Sequence, residues 1–193
     1  MSTVPPADAG LALAISFVNT YDLLESPPDI LTLARIVAIT RAHGHPQLGN
    51  RLAAIPAVGT DEALDRMRAV RGGLYQIFAA EDAGAAVDAL NTALDAHPLR
   101  PRIAAGPGGS LRLTAALAAS DPDPIAELTA VTTDALAHAM VVGGPGRFGT
   151  CAGDPCRCVY VDRTRAGRQR FCCQLCNDRM AAAAYRSRRA GAT

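Results

Sequence analysis

Residues 151–179 read CAGDPCRCVYVDRTRAGRQRFCCQLCNDR, and all six cysteines of the 193-residue chain lie within them. Cys151 and Cys156 enclose four residues, fifteen follow, and Cys172 and Cys176 enclose three, with Cys158 and Cys173 as extras. Two close pairs on a short segment suit one tetrahedral Zn2+. Each pair can form a knuckle that puts two thiolates about 2.3 Å from the ion, and the stretch between them is long enough to return as a hairpin. The competing readings are a disulfide-stapled secreted module and a set of free thiols. Against secretion, MSTVPPADAG has no basic segment, and the apolar run from Leu11 to Val18 is too short for a leader and its cleavage site. In a reducing cytoplasm paired cysteines more often bind metal, which favours zinc and a cytoplasmic location.

Working outward from this stretch, the charge is divided unevenly. Residues 1–150 carry ten Arg against fifteen Asp and Glu, a balance of −5, whereas residues 151–193 carry nine Arg against Asp154, Asp162 and Asp178, a balance of +6. Four thiolates around one Zn2+ would lower the second figure by two and leave it basic. Arg163, Arg165, Arg168 and Arg170 alternate with other residues, and Arg179, Arg186 and Arg189 fall broadly along one side of a helix-prone tail. Arginine makes bidentate contacts to phosphate and to guanine edges, so this pattern predicts a nucleic-acid face for duplex DNA. The segment has few apolar residues of its own, chiefly Val159, Tyr160, Val161, Phe171 and Leu175. Metal must supply the missing stability, about 10–16 kcal/mol of apparent binding free energy in comparable finger peptides.

The combination of Cys151, Cys156, Tyr160, Asp162, Thr164, Arg165, Arg168, Arg170, Phe171, Cys172 and Cys176-Asn177-Asp178-Arg179 resembles the CGNR-type zinc finger of bacterial transcription regulators. Leu11 to Asp22, LALAISFVNTYD, resembles the opening of the alanine-rich ABATE domain that precedes that finger. Together the two resemblances span nearly the whole chain. The chain departs from the pattern in having CNDR for Cys-Gly-Asn-Arg and Phe171 for a tryptophan, and its second knuckle is one residue shorter. Cys172 directly follows the aromatic residue, as the family's ligand does, which ranks it above Cys173 as the third zinc ligand. The resemblance also implies roles for Asn19, as an amide holding a loop or touching a ligand, and for Arg71, which would reach a carboxylate or an anionic ligand.

The rest of the chain reads as helices. Residues 1–10 look like a loose lead-in. The run Leu11 to Val18 fits both a strand and a helix face. A helix is expected from Asp29 to a stop at His43-Gly44-His45, and a long one follows Thr60-Asp61-Glu62. Gly72-Gly73 sits inside the long one at a cost of about 1 kcal/mol each, and marks a kink, a close crossing or a break. Asp82 to His97 is a further helix with Asn91 as a buried amide on its apolar side. Pro101-Arg102-Ile103 and Leu111-Arg112-Leu113-Thr114 flank Gly106-Pro107-Gly108-Gly109 as a β-hairpin would. Asp123-Pro124 opens the last long helix, and Gly143-Gly144-Pro145-Gly146 is a hinge. No run reaches the length of a membrane span.

The expected architecture is mainly α with a small β-hairpin element: an ABATE-like helical domain over residues 1–145 and a treble-clef-like zinc finger with a basic C-terminal helix over residues 146–193. The expected function is transcription regulation, with DNA on the finger and a small-molecule effector or a homodimer contact on the helical domain, and no membrane partner. Two alternatives stay open. One is a zinc-stabilised protein-interaction module. The other is an enzyme or thiol redox sensor, with Cys158 or Cys173 activated by neighbouring arginines. Against an enzyme stand the absence of HExxH, GxGxxG, GxSxG and Walker motifs and of any lysine.

Overall fold

A computed structural model of the chain describes residues 6–96, 99–105, 109, 111–117 and 123–190. The run that fitted both periods is helical: α1 (Pro6–Val18) buries Leu11, Leu13, Ala14, Phe17 and Val18. Spacings of three and four decide against alternation, and α1 starts within the segment expected to be loose. Gly10 lets α1 lie directly on the last helix of the domain, since a Cβ there would meet that of Ala135 at 2.8 Å.

Helix α2 (Leu33–Ala42) starts four residues later than the expected Asp29, because Thr32 is the cap: its hydroxyl accepts from the Arg35 N–H at 3.1 Å. Asp29 is extended, paired in a β-bridge with Tyr21, and its carboxylate is engaged by arginines of another helix. His43 closes α2, and its ring Nε2 lies 2.8 Å from the Ser16 hydroxyl oxygen. Helix α3 (Pro46–Ala53) follows at once, and α4 (Thr60–Phe78) runs uninterrupted through Gly72-Gly73. Helix α5 (Ala83–Ala96) is capped by Asp82, whose carboxylate accepts from the Ala85 N–H at 2.9 Å.

Strands β1 (Leu99–Ala105) and β2 (Leu111–Leu117) form the expected antiparallel hairpin, registered from Leu99 opposite Leu117 to Ala105 opposite Leu111. Its predicted Gly106-Pro107-Gly108 tip and the expected end of α5 at His97 lie outside the described residues. Helix α6 (Pro124–Gly143) has Asp123 as its cap. Contrary to the sequence expectation, α6 has the length and composition to cross a bilayer. It is packed as a core helix against α1, burying Ile125, Leu128, Leu136 and Met140.

Two short strands, β3 (Phe148–Thr150) and β4 (Val159–Val161), pair antiparallel around the first cysteine knuckle, and the second knuckle leads into α7 (Gln174–Ala190), with Cys172 just before the helix and Cys176 in its first turn. A knuckle between paired strands, followed by a helix that bears the second cysteine pair's last sulfur, makes a treble-clef-like finger. The Gly143–Gly146 segment turns the chain but does not free the finger. Val159 is 1% exposed and belongs to the helical core, and the Phe148 ring lies 5.3 Å from that of Phe78 on α4.

Candidate functional site

The fold brings the Sγ atoms of Cys151, Cys156, Cys172 and Cys176 within 4.8 Å of one another. A tetrahedron with about 2.3 Å arms has edges of about 3.8 Å. The Cys156–Cys172 and Cys172–Cys176 separations are both 3.8 Å, which suits one Zn2+ at the centre of the set. Three of the four cysteines are buried and Cys172 is half-buried. Burial pushes the Cys176 thiol up to about 11 and raises Cys172 as well. For Cys151 burial acts upward too, but the backbone N–H groups of Cys172 and Gly153 and the neighbouring thiols outweigh it and hold the thiol below its ordinary value. Thiolate is the form that ligates zinc, so binding would release protons, and four thiols filling a tetrahedron would leave no open position.

Arg179 belongs to this centre rather than to the predicted DNA face. It is half-buried at the second turn of α7. Its Nη1 donates to the Asp154 carbonyl at 2.5 Å and its Nη2 to the Gly153 carbonyl at 2.6 Å, with the Cys176 sulfur 3.9 Å away. Both terminal nitrogens of the guanidinium bind the knuckle's backbone, while its buried Nε has no partner among the described residues, and the pair of bonds ties the loop between Cys151 and Cys156 to the helix that carries Cys176.

Between β4 and Cys172 the chain forms a loop organised by Asp162, which is 6% exposed. One carboxylate oxygen accepts from the Thr164 N–H and hydroxyl at 2.7 and 2.6 Å, and the other from the Gln169 N–H at 2.9 Å. The Thr164 hydroxyl, with these N–H groups and Arg147, holds the Asp162 carboxyl below the usual carboxylate range. Arg147 donates to the Thr164 carbonyl at 2.6 Å, and the Tyr160 hydroxyl to the Gln169 carbonyl at 2.7 Å. With its polar backbone satisfied inward, the loop exposes Arg163, Arg165, Arg168 and Arg170, the last lying over the Phe171 ring at 5.6 Å. Arg168, Arg170, Gln174 and Asn177 line an open trough of about 520 Å³ at the start of α7. Arg186 and Arg189 are exposed further along that helix, with Arg189 over Tyr185 at 5.9 Å. Arg147 and Asp162 act through this loop. Asp162 stood in the quoted motif without a role, and nothing near Arg147 in the sequence signals one.

The two extra cysteines differ. Cys158 is buried beside Cys156 and Asp22, and burial pushes its thiol well up, with Cys156 and then the Asp22 carboxylate adding to the effect. This runs against the expectation of an activated thiol at Cys158, because it is buried among the other cysteines and beside Asp22 rather than among arginines. Cys173 is exposed and stands outside the four-sulfur group. The backbone N–H of Cys176, in the first turn of α7, draws its thiol below the ordinary value.

Asn19 joins the two parts of the chain. Its Nδ2 donates to the Val159 carbonyl at 3.0 Å and its Oδ1 accepts from the Val159 N–H at 2.7 Å, so a side-chain amide continues β4 as a strand neighbour would. Arg71 is buried on α4, where its Nη1 donates to the Asp29 carboxylate at 2.6 Å and to the Thr20 hydroxyl at 3.0 Å, and its guanidinium lies 5.5 Å from the centre of the Tyr21 ring. Arg71, aided by Arg68 at 2.9 Å, holds the Asp29 carboxyl well below the usual carboxylate range. Asn91 is exposed on α5, contrary to the buried amide expected there, since only Ala86 and Leu90 of that helix are buried.

A helical domain bearing an appended four-cysteine treble-clef-like finger is thus the class of protein defined here. Residues 11–145 match the family described as "Putative stress-induced transcription regulator" (ABATE), and residues 147–189 match the CGNR zinc finger. The first match covers more than half of the chain, which belongs to the ABATE family. No curated protein matches it.

Proposed function

We propose that this protein is a zinc-dependent transcription regulator of the bacterial cytoplasm, which contacts duplex DNA through its finger while its helical domain senses a small-molecule effector or forms a homodimer. The proposed zinc ligands are Cys151, Cys156, Cys172 and Cys176. The observation that carries the reading is the loop pinned by Asp162, on which Arg163, Arg165, Arg168 and Arg170 are exposed beside the start of α7. Backbone N–H groups at that helix end favour phosphate, and arginine forks suit both phosphate and guanine. Arg186 and Arg189 extend the same basic character. A single finger buries little DNA, so a dimer would supply the rest of the specificity.

Selection of duplexes from a random pool by the zinc-loaded protein tests this. One enriched motif, lost in Arg165→Ala and Arg168→Ala, is the expected result. A second reading, a protein-docking finger, draws support from Leu175 and Tyr185, which are 80% and 55% exposed on α7. No enriched motif, with zinc bound and the protein folded, would favour it, whereas salt sensitivity separates neither reading, since charge alone does not read bases.

A further inference from the structure

A cavity of about 340 Å³ lies between α4, the end of α1 and the finger's first knuckle. Arg68 and Arg71 of the helical domain and Arg157 of the finger line it, with Tyr21, Tyr75 and Gly72. Its size is that of a small-molecule site. Three guanidinium groups meet there. Asp29 answers Arg68 and Arg71, Asp65 on the surface also pairs with Arg68, and Arg157 has no charged partner among the described residues. Arg71 uses only Nη1 for Asp29 and Thr20, which leaves the rest of its fork for a ligand. The cavity is therefore net positive, and two tyrosines supply flat apolar walls.

Gly72 adds an independent observation. It interrupts neither the path nor the hydrogen bonding of α4, and a Cβ placed on it meets no atom within 4 Å, so neither a kink nor a close helix crossing accounts for it. It lines the cavity, and a side chain there would project into that space. Its neighbour Gly73 is equally unobstructed but is not part of the lining.

We infer that this cavity binds a small organic anion carrying a flat ring, its acid group shared between Arg71 and Arg157. The inference rests on the effector-sensing half of the proposed function and deepens it. The site has one wall in each part of the chain. Arg157 adjoins Cys156 of the zinc cluster, and Asn19, also in the lining, holds Val159. A ligand here favours the docked finger over any arrangement in which the finger moves away, by its differential affinity for the two.

The test uses the zinc-loaded full chain with benzoate and phenyl phosphate as probes and benzamide as the neutral counterpart, read by calorimetry and by the shift in melting temperature. At least one anion should bind ten-fold or more tighter than benzamide and raise the melting temperature. Arg157→Gln should weaken that binding at least ten-fold. Gly72→Ala should abolish it while leaving a folded, more heat-stable protein, and Gly73→Ala should bind like the parent. Equal binding of anion and benzamide, parental binding by Gly72→Ala, or no binding of either anion at millimolar concentration would overturn the inference. Anion binding with no DNA motif selected would leave the site standing and remove the regulator reading. DNA selection by a protein that binds neither anion would do the reverse.

Discussion

Replacing Asn19 by alanine removes the two hydrogen bonds by which the helical domain holds β4, at 3.0 Å to the Val159 carbonyl and 2.7 Å from the Val159 N–H. Val159 is 1% exposed, so its side chain stays in the core while both of its backbone groups facing Asn19 lose their partner. An unsatisfied buried backbone group costs about 1–3 kcal/mol, and the partial exposure of Asn19 lets water recover some of that. The expected loss is about 2–3 kcal/mol of global stability in urea unfolding, with zinc kept bound. Amide exchange at Val159 should then approach that of a surface loop, whereas core amides such as Leu136 slow or quicken only with global stability. A variant within 0.5 kcal/mol of the parent and with Val159 still protected would refute the view that this amide docks the finger.

Two further outcomes are expected. Asp29→Asn leaves the buried Arg71 without its carboxylate and should cost about 2–3 kcal/mol at pH 7, since breaking a largely buried pair strands the remaining charge. Because the folded-state pKa of Asp29 lies below the ordinary value of 3.8, its contribution is fully present above pH 3.8 and is lost as the pH falls through the folded value. The gap between parent and variant should accordingly close only below pH 3.8, and a gap that closes near pH 6 would sink the assignment. Cys172→Ser should lower bound zinc well below one per chain by mass spectrometry of the native protein, while Cys173→Ser should retain it, because only Cys172 has its sulfur within the four-thiol group. The opposite pattern would transfer the ligand role to Cys173.

Much of the fold was legible because its signals are local. The acidic first turn Thr60-Asp61-Glu62 and the cap Asp123-Pro124 sit where α4 and α6 begin, and the turn residues between Ile103 and Leu111 separate two strands that pair. Local signals also misled. Asp29 after two prolines reads as a helix cap, but Arg71, forty-two residues away, takes its carboxylate and Thr32 caps instead. Asn91 falls on an apolar stripe, yet the side of α5 that meets the core narrows to Ala86 and Leu90, so the amide faces water.

What the sequence by itself determined is the chemistry of the tail. Six cysteines at those intervals, an excess of arginine and a deficit of apolar residues specify a metal-held basic finger, because ligand spacing and charge are properties of the chain before it folds. Only the tertiary structure decided which residues serve the finger from a distance. Arg179 turned inward to the carbonyls of Gly153 and Asp154, Cys158 was buried against Asp22, and Asn19 paired with Val159, 140 positions further along the chain. These outcomes depend on where helices and knuckle meet. A guanidinium or an amide has the same sequence signature whether it faces solvent or satisfies a buried carbonyl, and only packing chooses between the two.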